Sequence, residues 1–372
     1  MHNRAIRGET TMERLRMRLK RTVAMSLAVG AVALAAAACG SSGSTKTVTA
    51  PGGGGNSGKN VLVGAGSTFV APLMQQWEAD YVNQPEGTTI TYGAIGSGGG
   101  IDQITARAVD FGASDAPLSA DQASACKSCL TIPWSLGAVA VIYHVNGVPN
   151  HLKLTGSVIA NIFLGKVTSW NDPSIAALNP GVNLPDTHIT PVYRSDGSGT
   201  SFAFTSYLSA ISSDWKGQVG ASTQPAFPTG TGAEHSSGVV AAVQATDGGI
   251  TYADLAYATS NDLPYALVQN AAGQYPVPAD PKTIIAAAKV GKQNSDGSWT
   301  LVNPPASAAD AYPISSYTYV IVPEKSDKAS TLKAFLEYAV GPKGQAFGPD
   351  LGYPKLPSSV VTSDKQEIAK IS

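Results

Sequence analysis

The sequence of 372 residues is poor in charge, because Asp, Glu, Lys and Arg together make up only 14% of it. Arginine is scarcest after position 38, where Arg107 and Arg194 are the only two. The first 38 residues hold seven of the 25 Lys and Arg residues and two of the 26 Asp and Glu residues, which leaves the rest with a net charge of −6. Nucleic-acid binding relies on many basic side chains, so we expect no nucleic-acid partner. If the ligand is an anion, local features must hold it.

The motifs of common enzyme classes are also missing. Ser67, Ser97 and Ser198 lie in Gly-rich segments, but none has the glycine two positions earlier that a nucleophile elbow requires. No P-loop is present, and Phe69 replaces the third glycine of a dinucleotide-binding fingerprint. We therefore expect no catalysis and no cofactor. We also expect no metal, because the histidines after residue 38 lack the spacing of metal ligands. These histidines are His144, His151, His188 and His235.

Cysteine is scarce, with three in the chain. If Cys39 is lipidated, Cys126 and Cys129 form an even pair in a polar segment of a secreted protein, which favours a small disulfide. A thioredoxin-like redox pair is the first alternative, but no long helical pattern follows Cys129. A zinc site is the second, and it lacks two further ligands.

The first 38 residues have the pattern of a signal peptide. Arginines precede an apolar run at residues 23–38, and small residues come directly before Cys39. This resembles a bacterial lipoprotein signal that is cleaved in front of a lipidated cysteine, although Leu34 lies five rather than three positions before it. An uncleaved anchoring helix is the alternative, because about 16 apolar residues approach spanning length. Both interpretations place the body outside the cytoplasm.

Residues 39–58 are rich in Gly, Ser and Thr and have no periodic apolar residues, which predicts a flexible tether. A tether of this length reaches roughly 25 Å, so the folded body is expected to stay close to the membrane. A start at Met12 or Met17 instead of Met1 gives the signal a more usual length.

From Lys59 onward, short β-branched runs alternate with helical patterns, which predicts an α/β fold with largely parallel strands. Three alternations place a Gly- and Ser-rich turn between a strand and a helix, at residues 64–69, 96–100 and 194–200. Helix N-termini carry unpaired N–H groups and partial positive charge, so they attract anions. Ordinary helix capping explains any single turn of this kind.

Three such turns, with Arg194 four residues before Ser198, favour an oxyanion site over capping alone. The second arginine, Arg107, lies far along the second helical pattern, where we expect it to face solvent.

Longer strings around these turns resemble the family of periplasmic phosphate-binding proteins. They are residues 64–69, 95–97, 110–119 and 194–202, with a further match over 164–181. The similarity extends from about Val61 to near Val361. The resemblance implies an α/β, two-lobed periplasmic binding protein fold, type II-like, with a hinged ligand cleft. Lobe I is expected at 59–140 plus 311–372, and lobe II at 141–310.

The resemblance also implies a ligand set. The phosphate-binding residues would be Ser67, Thr68, Phe69 (through its N–H), Ser97, Asp115, Arg194, Ser198, Gly199 and Thr200, with Asp196 holding the guanidinium of Arg194. An ionised Asp115 is only an acceptor, so it demands a proton on the ligand, which HPO₄²⁻ and H₂PO₄⁻ have and sulfate lacks. Gly98 departs from the family, which often has a second serine there.

The implied function is binding of inorganic phosphate and its delivery to the permease and ATPase subunits of a phosphate ABC transporter. The protein is expected to be a monomer, held by a lipid anchor on the outer face of the cytoplasmic membrane. Two alternatives stay open: a binder of another protonated oxyanion such as arsenate, and an envelope interaction or antigenic lipoprotein.

Overall fold

The computed structural model describes residues 61–372 of the chain. The predicted signal peptide at 1–38, the lipidation site Cys39 and the tether at 39–58 lie outside the described residues. The described part belongs to one compact unit, Gly55–Ser372, so both predicted lobes fall within it. No helix between residues 61 and 372 combines the length and the apolar character needed to cross a membrane.

Strands and helices alternate along the described part of the chain, as the sequence predicts. The strands are β1 (Val61–Gly66), β2 (Thr89–Gly93), β3 (Phe111–Ser114), β4 (Cys129–His144), β5 (Lys153–Leu154), β6 (Thr190–Arg194), β7 (Thr231–Ala233), β8 (Gly249–Asp254), β9 (Leu267–Val268), β10 (Lys292–Gln293), β11 (Trp299–Thr300) and β12 (Ser315–Pro323).

Twelve helices alternate with these strands in the described part of the chain. They are α1 (Ala71–Tyr81), α2 (Gly96–Thr105), α3 (Ala120–Cys126), α4 (Gly156–Phe163), α5 (Pro173–Ala176), α6 (Gly199–Ile211), α7 (Ser213–Gln218), α8 (His235–Gln244), α9 (Leu255–Ser260), α10 (Pro281–Val290), α11 (Ala329–Val340) and α12 (Ser358–Ala369). Two short 3₁₀ turns follow α11, at Gly344–Phe347 and Pro349–Leu351.

Eight strands form one sheet in the order β2-β1-β3-β12-β4-β8-β6-β7. Pairing is parallel at the two ends of the sheet and antiparallel in its middle, at β3–β12, β12–β4 and β4–β8. The prediction of largely parallel strands is therefore wrong for the centre. Parallel neighbours need a crossover connection, usually a helix. Strand β12 returns from a distant part of the chain, after α10, and is free of that constraint.

Strand β4 belongs to both halves of the sheet. Nine of its first ten residues pair with β12, up to Ala138, with Trp134 unpaired at a bulge, and its last six pair with β8, from Val139 onward. Every residue from Ile132 to Tyr143 is buried, as expected of a strand covered on both faces. Strand β4 therefore lies between the two sets of parallel strands, β2-β1-β3 with β12 on one side and β8-β6-β7 on the other.

Aromatic side chains fill the space between the sheet and its helices. On the β1 side, Trp77 packs edge-on against Trp134 and Phe335, with ring centroids 5.2 and 6.4 Å away. On the β6 side, Phe204 stacks on Tyr252 at 4.2 Å. These rings bury large apolar areas, which stabilise the two layers independently of any ligand.

A disulfide joins Cys126, the last residue of α3, to Cys129, the first residue of β4. Arg107 contacts it through its guanidinium. The side chain is exposed, as expected, but the residue lies just beyond the end of α2 rather than on the helix. The residue follows the end of α2 with a φ of 56°, and its guanidinium donates to the carbonyls of Ile104 and Cys126, each at 2.7 Å. Cations are favoured at helix C-termini, where carbonyls lack partners, so this position suits an arginine.

Candidate functional site

The predicted site residues meet where parallel strands end. The first turn, Ser67 to Phe69, follows β1, Asp115 follows β3, and Arg194 is the last residue of β6. In α/β sheets the carboxyl ends of parallel strands form the crevice in which ligands bind. The polar side chains of this region are nonetheless buried, since Ser67, Asp115 and Arg194 are each at most 3% exposed.

The first turn and Asp115 are joined by hydrogen bonds. The Ser67 hydroxyl donates to Oδ1 of Asp115, and it accepts the N–H of Phe69 at 3.0 Å. Tyr92 donates to the Ser67 carbonyl at 2.8 Å. The bonds to Asp115 and Phe69 fix the orientation of the Ser67 hydroxyl, and the bond from Tyr92 fixes the Ser67 carbonyl.

Asp115 accepts hydrogen bonds from three hydroxyl groups. Besides Ser67, Thr318 donates to Oδ1 at 2.8 Å and Thr200 donates to Oδ2 at 3.2 Å. Burial raises the pKa of Asp115, while these hydroxyls and the charge of Arg194 act in the opposite direction. The arrangement suits a carboxylate, because hydroxyl hydrogens converge on both of its oxygens.

Ser97 links the same aspartate to the third turn. Its hydroxyl oxygen accepts the N–H of Gly199 at 3.0 Å and the N–H of Asp115 at 3.3 Å. In both bonds the Ser97 oxygen is the acceptor. Its hydroxyl hydrogen therefore remains available to an acceptor such as an oxyanion.

Arg194 is held in a fixed orientation by Asp196. Its Nε and Nη2 atoms donate to the two carboxylate oxygens at 2.6 and 2.5 Å, and Nη1 donates to Ser236 at 3.2 Å. Burial acts to raise the pKa of Asp196, but the hydrogen bonds and charge of Arg194, with the His235 N–H, outweigh it and lower that pKa. Two parallel bonds fix the plane of the guanidinium as well as its position.

Ser236 forms hydrogen bonds with both Arg194 and Thr68. It lies in the first turn of α8, and its hydroxyl is 2.8 Å from that of Thr68. Its N–H donates to the Thr68 hydroxyl at 3.3 Å. Arg194 and the first turn are thereby connected through one serine.

Capping alone does not explain the three Gly- and Ser-rich turns. Ser198 does cap its helix, since its hydroxyl accepts the N–H of Ser201 at 3.1 Å. Helices α1 and α2, in contrast, have no side-chain cap, and Ser97 is the second residue of α2 rather than a residue before it. Three helix N-termini therefore face one buried cluster of hydroxyls, one guanidinium and one carboxylate.

Comparison with known proteins is consistent with this geometry. Residues 41–343 match the family model described as a PBP superfamily domain. The phosphate-binding protein PstS of Xylella fastidiosa is 41% identical over 302 residues, covering 80% of this chain and 82% of the relative. PstS of Haemophilus influenzae is 36% identical, covering 83% and 92%. The chain belongs to the PstS phosphate-binding protein family.

A solved member of the same fold is PfluDING, a high-affinity periplasmic phosphate-binding protein bound with phosphate. It is 21% identical, with a TM-score of 0.66, and the match covers 82% of this chain and 93% of that one. The predicted fold class, a two-lobed α/β periplasmic binding protein, is confirmed by this likeness and by the PstS relatives.

The structure places the nine predicted ligand residues of this PstS-family chain in one region, and two residues that the sequence analysis missed, Thr318 and Ser236, form hydrogen bonds with them. Thr318 lies in the middle of β12, far from any Gly-rich turn, so no local signal marks it. Ser236 did have a signal, because a Ser-Ser-Gly segment precedes the periodic valines of α8. A fourth strand-turn-helix alternation was therefore overlooked.

Gly98 was noted as a departure from the family, and the structure gives a physical reason for glycine there. Its N–H donates to the Gly197 carbonyl at 2.9 Å. A Cβ atom at Gly98 would lie 3.1 Å from the Gly197 Cα. A serine at this position therefore requires the two backbones to move apart.

Proposed function

We propose that this protein binds inorganic phosphate outside the cytoplasm and delivers it to the permease and ATPase subunits of an ABC importer. One observation carries the proposal: a buried carboxylate, Asp115, lies close to the buried guanidinium of Arg194 among hydroxyl and N–H donors of three helix N-termini. An acceptor among so many donors selects an oxyanion that carries a proton. Family membership points to phosphate.

The proposed ligand contacts follow from the chemistry of each group. Arg194 supplies the positive charge, in an orientation set by Asp196. The N-terminal donors are Ser67, Thr68, Phe69, Ser97, Ser198, Gly199 and Thr200, through hydroxyl or backbone N–H groups. In the structure the hydroxyls of Ser67 and Thr200 donate to Asp115, and the N–H groups of Phe69 and Gly199 donate to Ser67 and Ser97, so the proposed complex requires these donors to exchange partners. Asp115 accepts a hydrogen bond from the protonated oxygen of the ligand. Charge-assisted hydrogen bonds contribute roughly 1.5–3 kcal/mol each, so the arginine is expected to dominate affinity.

We further propose that the site lies between two lobes, 59–140 plus 311–372 and 141–310, which close around the ligand. Support comes from β4, which changes its partner from β12 to β8 between Ala138 and Val139. Bonds between the proposed lobes include Gly199 N–H to Ser97 at 3.0 Å. A hinge in the shared strand and neighbouring segments would let binding bring the lobes together.

The proposal includes transport without catalysis. In support, the hydroxyls of Ser67, Ser97 and Ser198 have no imidazole partner among the hydrogen bonds of residues 61–372. In the same residues no three His, Cys, Asp or Glu side chains are grouped to hold a metal ion. The lipid anchor at Cys39, the extracytoplasmic location and the monomeric state are parts of the proposal that rest on the sequence pattern.

Calorimetry tests the proposal directly. Residues 40–372 should be purified, stripped of bound phosphate by partial unfolding, and titrated with phosphate and with sulfate. We expect one phosphate per chain and no heat from sulfate. If another protonated oxyanion binds more tightly than phosphate, that oxyanion is the ligand and the phosphate assignment is wrong. If no oxyanion binds, an envelope interaction role becomes the better interpretation.

A single glycine offers a sharp test of how closely the parts of the site must approach. A Cβ atom at Gly199 would lie 2.6 Å from the backbone N of Asp115, and backbone atoms cannot rotate away. We expect Gly199→Ala to weaken phosphate binding about 10- to 100-fold, since overpacking costs roughly 1–3 kcal/mol. Gly217→Ala is the control, because nothing lies within 4 Å of its Cβ position. Equal affinities of the two variants would contradict the close approach.

A further inference from the structure

Asp254 is a buried carboxyl group that neither the predicted ligand set nor the proposed mechanism uses. It is the last residue of β8, only 1% exposed, and it caps α9 by accepting the N–H of Ala256 at 2.9 Å. It lies in proposed lobe II, in the part of β8 that pairs with β4 next to the change of partner. The group is therefore close to the hinge rather than to the solvent.

Tyr353 connects Asp254 to the first turn of the site. Its hydroxyl oxygen lies 2.6 Å from the carbonyl oxygen of Phe69 and 2.8 Å from Oδ1 of Asp254. The phenol has one hydrogen, and a carbonyl oxygen never donates. When Tyr353 gives its hydrogen to Phe69, the second short contact needs a hydrogen from Asp254. An ionised Asp254 would accept the Tyr353 hydrogen instead. The Tyr353 and Phe69 oxygens would then lie 2.6 Å apart with no hydrogen between them.

A second tyrosine holds the neighbouring peptide group. Tyr257, on α9, donates to the carbonyl of Thr68 at 2.8 Å. That carbonyl and the N–H of Phe69 belong to one planar peptide group, so fixing one fixes the other. The Phe69 N–H in turn contacts the Ser67 hydroxyl that donates to Asp115. The two tyrosines thus hold the carbonyls on both sides of Phe69.

The charged surroundings disfavour a second carboxylate here. The titratable groups that face Asp254 are Tyr353 from the C-terminal segment, Tyr257 from its own helix and Asp115 from the turn after β3. The guanidinium of Arg194 also acts on Tyr257 but is paired with Asp196. Burial raises the pKa of Asp254 well above its ordinary value, the charge of Asp115 acts in the same direction, and the bonds from Tyr353 and Ala256 oppose it.

We propose that Asp254, Tyr257 and Tyr353 are positioning residues of the anion site, and that Asp254 acts in its protonated form so that Tyr353 can donate to Phe69. The positioning part rests on the proposed function, because it concerns phosphate. The protonation part does not, since it concerns the folded protein alone. The two parts have separate tests.

Removal of single hydroxyls tests positioning. Tyr353→Phe and Tyr257→Phe each lose one hydrogen bond to the first turn, and we expect each to bind phosphate about five- to tenfold more weakly in the full chain. Tyr143→Phe is the matched control, because its buried hydroxyl donates to the Pro149 carbonyl, and Tyr143 lies four residues along β4 from the Val139–Asp254 pair. A structural role alone would lower stability in all three without changing affinity. If affinity is unchanged in both site variants, positioning is refuted.

Unfolding at different pH values tests the proton. A carboxyl whose pKa is higher in the folded than in the unfolded chain, where it is about 3.9, makes the folded state lose stability as pH rises between those values. Asp254→Asn has no such proton. Above pH 5 the unfolding equilibrium constant of the wild type should therefore rise about tenfold per pH unit relative to that of the variant, for as long as Asp254 keeps its proton in the folded protein. A constant offset between the two leaves this slope unaffected.

Asp364→Asn provides the comparison. Burial and the nearby charge of Glu367 raise the pKa of Asp364 to about 8, and it makes no described hydrogen bond to the anion site. The same slope is expected up to about pH 8, with unchanged phosphate affinity. If the ratio of the wild-type unfolding constant to that of Asp254→Asn does not change with pH, Asp254 is ionised in the folded protein. That result would refute the protonation part of the proposal.

If Asp254→Asn does not fold, the carboxyl carbon resonance of Asp254 at pH 7 decides the protonation state in the wild type. A wild-type chain that binds no phosphate would refute the proposed function, and the positioning part with it. The unfolding slopes would still decide the proton, because they need no ligand.

Discussion

Arg194→Met is expected to weaken phosphate binding about 10²- to 10⁴-fold, the largest effect of any single substitution in the site. The guanidinium is 3% exposed, and in the proposed complex it makes charge-assisted bonds worth roughly 1.5–3 kcal/mol each. Its removal also leaves the carboxylate of Asp196, whose side chain is 13% exposed, without its cation. We therefore expect stability to fall by about 3–5 kcal/mol in urea unfolding.

Two further variants separate charge from geometry. Arg194→Lys keeps the charge but loses the two parallel bonds to Asp196, so an intermediate loss of affinity is expected. Arg107→Met removes the other arginine of residues 61–372, which is exposed and bonded to Ile104 and Cys126, and should leave affinity within twofold or so. Arg194→Met binding phosphate as tightly as the wild type would rule out a guanidinium contact.

Asp115→Asn is expected to convert a phosphate-selective site into one that also accepts sulfate. Sites built to pair a particular hydrogen reject analogues without it by about 10⁴- to 10⁵-fold. An amide in place of the carboxylate offers hydrogens instead of repulsion, so the preference should fall to roughly tenfold or less. Competition of sulfate against phosphate, measured by calorimetry, gives the ratio.

The matched control for this prediction is Asp110→Asn. Asp110 is a nearby aspartate just before β3, and its carboxylate pairs with Lys328 at 2.8 Å. Its replacement removes one negative charge at the cost of one ion pair, without touching the site. If Asp115→Asn still rejects sulfate, the discrimination must come from another group in the cleft.

The sequence predicted the parts of the site that sit in local strand-turn-helix patterns. Ser67, Ser97 and Ser198 were found because three Gly- and Ser-rich turns between a strand and a helix occur in one chain, a repetition that capping of single helices explains less well than an anion site does. Asp115 was not derivable in that way, since an aspartate after a strand is also an ordinary turn residue. Its role followed from the family resemblance, and the structure places it among the predicted donors.

Long-range contacts explain what the sequence did not give. Thr318 reaches Asp115 only because β12 returns to lie beside β3, a pairing over more than 200 residues. The glycines at 96–100 were predicted as a turn but lie in α2, because the helix packs against β1. A Cβ atom at Gly100 would be 2.4 Å from the Gly66 Cα. Local propensity disfavours such a helix, and tertiary packing decides it.

The pairing of Arg194 with Asp196 has a consequence for how fast an anion arrives. With Asp115 counted, these three charges do not sum to a positive site, and the chain after residue 38 has a net charge of −6. Helix ends act over about one turn, and the field of the whole protein decays within about 8 Å at physiological ionic strength. Diffusing phosphate is therefore repelled rather than steered, and added salt should quicken its capture. Tight binding must come from long residence after the anion enters.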